Sequence, residues 1–223
     1  MRTVELSRSP EKQSLGPLQG KCCAAPGTSI SGTLFFGGAG IDGSYIHSVV
    51  SEMHDAGISS AVFVDRDKWS GGTVLDALVG VRFAREFDPN FPLLLRANTR
   101  PGEQFNLVGY SYGSLLAAQV AAKYGLKGTT VHHLVLIGAP ISQTFLNLLR
   151  KTPAIKKIIV MDLDEHGDPI YAGMPYHEIA VSSPLLGYQM TRQEGHFYYS
   201  VEGEAGRRRH RELARYLYEQ GLR

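Results

Sequence analysis

Cysteine is almost missing from this chain of 223 residues: there are two, Cys22 and Cys23, and they are adjacent. Neighbouring thiols cannot build a disulfide framework, and without a spaced second pair they do not read as a zinc site. The expected state is a free thiol pair in an N-terminal arm. Charge of one sign is lacking too, because 23 Lys and Arg face 21 Asp and Glu for a net charge of +2. With no long basic stripe, a nucleic acid is not an expected partner. No run of about 18 apolar residues occurs, and the opening MRTVELSRSPEKQSLGPLQGK has no apolar core of a secretory signal. The expectation is a protein that does not span a membrane and is cytoplasmic, or exported without a cleaved signal. No motif requires a cofactor or a metal. Asp162, Asp164 and Gly167 match part of a calcium loop, but its last position is Gly173, where a bidentate Glu is needed.

Apolar side chains are plentiful. A composition of 43% hydrophobic and 20% charged residues suits one globular domain with a sizeable core. Residues 1–31 are rich in Pro, Gly, Ser and charge without periodicity and read as an arm or a short irregular strand leading into the core; residues 32–223 read as the domain. Apolar runs predict strands at 33–36, 60–64, 105–109, 131–137 and 155–161. Helical periodicity or composition falls between them, at 44–55, 73–87, 115–123 and 141–150, and again at 207–220. The segment with Pro92 and Pro101 reads as a loop, and His196 comes after the last strand-like segment and before the terminal helix. Strands alternating with helices predict an α/β fold, a mostly parallel central sheet with helices on both faces. The short connections leave no room for a large cap.

Gly109-Tyr110-Ser111-Tyr112-Gly113 is a G-x-S-x-G pattern, weak alone but placed between the apolar strand Phe105-Asn106-Leu107-Val108 and a small-residue helix. A serine on such a strand-to-helix turn projects its hydroxyl above the sheet, and the flanking glycines admit neighbouring backbone. The following helix aims its N–H groups at an oxygen that becomes negative in an acyl-transfer transition state. Ser111 is therefore the expected nucleophile. An oxyanion hole needs the Tyr112 amide and a second donor, expected from Gly38 or Ala39, with Gly37 as the alternative, in Phe35-Phe36-Gly37-Gly38-Ala39-Gly40.

In the chain order Ser, acid, His, the acid follows a late strand and the base lies near the end. Asp168 is the preferred acid, because Gly167 and Pro169 make a turn that fixes a carboxylate; Asp162 and Asp164 are the alternatives. His196 is the preferred base, ahead of His177 and His166, because Gly195 permits a loop and the following aromatics can exclude water. His47, His54, His132, His133 and His210 read as structural or surface residues.

These segments, GYSYGS with the FFGGAG loop before it and GDPI and EGHFYY after it, resemble the α/β-hydrolase superfamily over about residues 32–223. Within it, GDPI and GHFYY look most like compact bacterial serine lipases and esterases, and FFGGAG resembles, more loosely, lipase-type bacterial effectors. The resemblance implies hydrolysis of a carboxylic ester, of a lipid or acyl substrate, through a Ser-His-Asp triad; acyl thioesterases use the same elbow. From another class, Gly38-Ala39-Gly40-Ile41-Asp42-Gly43 matches the G-x-G-x-x-G of an NAD(P)-binding oxidoreductase, with Asp65 about 20 residues on. Phe35, Phe36, Tyr110, Tyr112, Met174, Tyr176, Leu185, Leu186, Met190 and Phe197 are candidates to line an acyl site. Arg207, Arg208, Arg209 and Arg211, at the expected start of the last helix, are candidates for contact with anionic lipid.

Overall fold

Three strands in the middle of the chain are apolar on both faces, so each needs cover on both sides. In the computed structural model, which describes residues 4–7, 31–38, 45–65, 80–91, 94–96 and 104–223, these strands form the centre of a seven-stranded sheet. The strands are β1 (Val4–Ser7), β2 (Gly32–Phe36), β3 (Ala61–Asp65), β4 (Leu94–Arg96), β5 (Phe105–Tyr110), β6 (Val131–Ile137) and β7 (Ile155–Met161). Their order is β4-β1-β3-β2-β5-β6-β7; all pairings are parallel except that of the edge strand β4 with β1. Every residue of β2 and β5 is buried.

Side-chain alternation sorts the core onto two faces. Leu34, Phe36, Phe105 and Leu107 point into one cluster, together with α2 (Tyr112–Gly125) and α3 (Gln143–Arg150). Phe35, Val108, Tyr110, Val135 and Ile137 point into the other, under α1 (Tyr45–Asp55) and α5 (Gly203–Glu219). Each large side chain fully buried this way contributes about 1.5–3 kcal/mol. α2 is buried almost all round, and its Ala-Ala repeats let it sit close against β5 and β6. α3 is capped by Ser142, whose hydroxyl accepts from the Phe145 N–H at 3.0 Å.

Three elements depart from the sequence reading. Residues 4–7, expected as part of an arm or of a short irregular strand leading into the core, form β1 inside the sheet, and 94–96 of the expected loop form β4 beside it. Between β7 and His196, where the sequence reading names no element, lies the helix α4 (Tyr176–Arg192), despite Pro184 within it. Packing of Ile179 and Leu186 against the core outweighs the low helix propensity of this sequence. α5 starts four residues before the expected boundary, with Glu204 in its first turn. The arginine run thus falls in later turns, where the helix macrodipole, which opposes positive charge at a helix start, is weaker. Residues 66–79, holding most of the expected second helix, and Cys22 and Cys23 lie outside the described residues; 80–84 are helical.

α1 and α5 are joined by polar contacts under the second core face. Arg211 donates twice to the buried Glu52 carboxylate, at 3.0 and 3.3 Å. His210 is fully buried, with Nε2 2.9 Å from the Tyr199 carbonyl and Nδ1 2.8 Å from Ser48 Oγ. A carbonyl can only accept, so Nε2 carries the proton and the neutral ring is fully satisfied. Burial lowers the His210 pKa below its ordinary 6.5. The unfolded chain therefore takes up a proton there that the native state resists, and stability falls as pH drops through about 6.5. Thermal melts between about pH 7.5 and 5 are expected to show this fall, less steep in His210→Gln. Equal slopes in the two proteins would contradict the assignment.

Candidate active site

Strand β5 ends at Tyr110, and the next residue turns the chain sharply into α2. Ser111 has φ 55 and ψ −126, a backbone conformation that costs a non-glycine residue about 1–3 kcal/mol. Its surroundings hold it there. The Ser111 N–H donates to the Ile137 carbonyl at 2.8 Å, and the Ser111 carbonyl accepts from the Ser114 N–H at 3.0 Å and the Ser114 hydroxyl at 2.5 Å. Two glycines make the turn sterically possible. A Cβ on Gly109 would overlap Ser114 Cα, and one on Gly113 would overlap the Phe36 and Gly37 carbonyls at the end of β2.

Ser111 occupies the N-cap position of α2, yet its side chain caps nothing. Its Oγ lies 2.7 Å from His196 Nε2 instead. His196 Nδ1 lies 2.7 Å from Asp168 Oδ2. An ionised carboxylate only accepts, so Nδ1 carries the proton and Nε2 is left to accept from the Ser111 hydroxyl. His196 and Asp168 are each only 6% exposed. Asp168 is anchored by its own turn: Oδ1 accepts from the Ile170 N–H at 2.8 Å, and its N–H donates to the Leu163 carbonyl at 3.1 Å. His196 sits in the 3-10 segment Gly195–Ser200, its N–H donating to Gln189 Oε1 at 3.0 Å and its carbonyl accepting from the Tyr110 hydroxyl at 2.5 Å. Gly138, at the end of β6 with φ +52, leaves room beside the pair; a Cβ there would lie 3.2 Å from Asp168 Oδ2 and 3.4 Å from His196 Cε1.

The alternative acids and bases lie elsewhere. Asp162 Oδ1 accepts from the Ala172 N–H at 2.9 Å; burial pushes its pKa up, the Ala172 amide offsetting part of the rise. Asp164 begins the 3-10 turn Asp164–His166. His166 stacks on Tyr198 at 3.6 Å, and His177 is exposed in the first turn of α4. His54 lies 2.7 Å from the Ala61 carbonyl, His47 packs edge-on against Phe63, and His132 and His133 bond the Phe105 N–H and the Asn106 side chain.

The expected oxyanion donors divide. Tyr112 opens α2 directly after Ser111. Gly38 lies against Ser111, where a Cβ would come 3.2 Å from Ser111 Cβ, but its N–H donates to the Tyr45 hydroxyl at 2.8 Å. That bond must be exchanged before the Gly38 amide can serve a substrate oxygen. Ala39 lies outside the described residues, as do Gly40, Ile41, Asp42 and Gly43 of the dinucleotide-type pattern.

Of the proposed acyl lining, Phe35, Phe36, Tyr110 and Met174 are core residues, whereas Tyr176 and Leu185 are exposed; Tyr112, Leu186, Met190 and Phe197 are partly buried. Among the four arginines, Arg211 is paired with Glu52, and Arg209 donates to the Tyr198 carbonyl at 2.8 Å while lying over the Tyr198 ring. Arg207 and Arg208 are exposed. Gln189 and Gly138 escaped the sequence reading. Gln189 sits on the unanticipated helix α4, and Gly138 follows a strand in an unremarked Gly-Ala-Pro turn.

A family model described as alpha/beta hydrolase fold matches residues 98–185, which run from just before β5 through the elbow and Asp168 into α4. The parallel sheet with helices on both faces agrees with this match, which spans less than half of the chain. A search of curated proteins found no match. Among the described residues no helix is long and apolar enough to cross a membrane.

The elbow geometry has a direct consequence for stability. Gly113→Ala is expected to cost about 3 kcal/mol or more, because the clash is with backbone that no rotamer change relieves. Urea denaturation measures this; a loss under about 1 kcal/mol would show that β2 and the elbow are not in close contact.

Proposed function

We propose that this protein is a serine hydrolase that cleaves a carboxylic ester of a lipid or acyl substrate. The observation that carries the reading is the unbroken hydrogen-bond chain from Ser111 Oγ through His196 to Asp168, with both bonds at 2.7 Å, at the N-terminus of α2. His196 Nε2 takes the hydroxyl proton as Ser111 Oγ attacks the acyl carbon, and Asp168 stabilises the resulting imidazolium. The carbonyl oxygen becomes negative next to the Tyr112 amide and the positive end of α2. The imidazolium protonates the departing alcohol, leaving an ester on Ser111. Water then attacks that ester with His196 again as base, releasing the acid and restoring the serine. Support for an apolar substrate comes from α4, which exposes Val181, Leu185 and Tyr188 along one face between the acid turn and the base segment. Contact with anionic lipid would rest on Arg207 and Arg208, since Arg209 and Arg211 have partners within the chain.

A series of p-nitrophenyl esters and acyl-CoA thioesters of increasing chain length tests the reading and separates ester from thioester. Asp168→Asn is expected to lower kcat about 10⁴-fold with the fold intact, because the amide holds the imidazole in the wrong tautomer. Activity within about tenfold of wild type would remove Asp168 from the mechanism.

A further inference from the structure

The His196 ring bonds Ser111 and Asp168, but its place is set by its main chain, which two buried side chains hold from opposite sides. Gln189 Oε1 accepts from the His196 N–H at 3.0 Å, and the Tyr110 hydroxyl donates to the His196 carbonyl at 2.5 Å. Each of these side chains also leads to one of the other two residues. Tyr110 precedes Ser111 in the elbow, and Gln189 Nε2 donates to the carbonyl of Gly167, the residue before Asp168, at 2.7 Å. The histidine backbone is thereby tied to the strand that carries the nucleophile and, through one carboxamide, to the turn that carries the acid.

The Gln189 carboxamide has a single workable orientation. Its oxygen faces an N–H and its nitrogen faces a carbonyl, so a flip would set donor against donor and acceptor against acceptor. It is 5% exposed, and the cost of leaving either end unpaired at such a buried site is the full desolvation of that group. Gly195 leaves the space for it; a Cβ there would overlap the Gln189 carboxamide. Tyr110 is as deeply buried, and burial pushes its pKa well above the ordinary value, so the phenol stays a donor; the neighbouring Tyr45 and Asp168 add to the shift, and hydrogen bonds from the Tyr199 backbone and the Ser200 side chain offset part of it.

We infer that Gln189 and Tyr110 are positioning residues that hold the His196 imidazole between Ser111 and Asp168, an inference that rests on the serine-hydrolase reading above. Neither is hydrogen-bonded to the reacting atoms; both hold the backbone of the base, and Tyr110 also stacks on its ring with centroids 6.2 Å apart.

The test compares Gln189→Met, Gln189→Glu, Tyr110→Phe and wild type in kcat and KM on one p-nitrophenyl ester, per active site titrated with a fluorophosphonate. Gln189→Met removes both hydrogen bonds at similar length, and kcat is expected to fall about 10- to 100-fold with KM within about twofold. Gln189→Glu keeps an acceptor for the His196 N–H but sets a carboxylate oxygen against the Gly167 carbonyl, so its kcat per site is expected to fall as in Gln189→Met. A purely structural glutamine would lower the titrated fraction and leave kcat per titrated site in place. A kcat per site within about twofold of wild type in Gln189→Met overturns the inference. Where Gln189→Met does not fold, Tyr110→Phe decides: a kcat drop of about fivefold or more supports positioning, and a smaller one overturns it. These results leave the serine-hydrolase reading standing, whereas turnover that survives Ser111→Ala overturns both.

Discussion

The site depends on one constrained residue. Ser111 is held at φ 55, where a serine gains nothing locally and pays about 1–3 kcal/mol in backbone strain. The same conformation denies its hydroxyl the capping bond that serine usually makes at a helix start. The hydroxyl is left to project toward His196. Holding this conformation requires the Ile137 and Ser114 contacts, two glycines whose missing Cβ atoms admit backbone, and a sheet rigid enough to seat them.

From that constraint the rest of the arrangement follows. The residues around the serine leave the sheet at the carboxyl ends of neighbouring parallel strands: Gly37 and Gly38 after β2, Ser111 after β5, Gly138 after β6, and the turn ending in Asp168 after β7. Parallel strands bring these ends to one edge, where ligand sites of open α/β sheets lie. His196 comes from outside the sheet, on a 3-10 segment between α4 and α5. A histidine supplied by such a segment needs separate anchorage, and its main chain is bonded to Gln189 and Tyr110.

How much of this could be read in advance depended on where each element draws its stability. β6 and β7 match their apolar runs residue for residue: β6 is buried on both faces, and β7, at the sheet edge with Lys156 and Lys157 exposed, still carries its signal in the apolar run from Ile158 to Met161. The elbow was legible for the same reason, since its two glycines answer a local steric demand. The turn around Asp168 was marked by its flanking Gly167 and Pro169. α4 was hidden, because Ser182, Ser183, Pro184 and Gly187 disfavour a helix that tertiary packing of Ile179 and Leu186 stabilises. β1 and β4 are short and pair with partners distant in sequence, so neither has a local pattern long enough to read. The Gly38 amide looked available because its acceptor, Tyr45, is contributed by the next helix.

The central proposal is that the strained Ser111 is the activated nucleophile. Intact-mass measurement after exposure to a fluorophosphonate, followed by peptide mapping, tests it most directly. The account predicts one adduct per chain, located on Ser111, and no adduct in Ser111→Ala. An adduct that persists in Ser111→Ala, or maps to another residue, would contradict it.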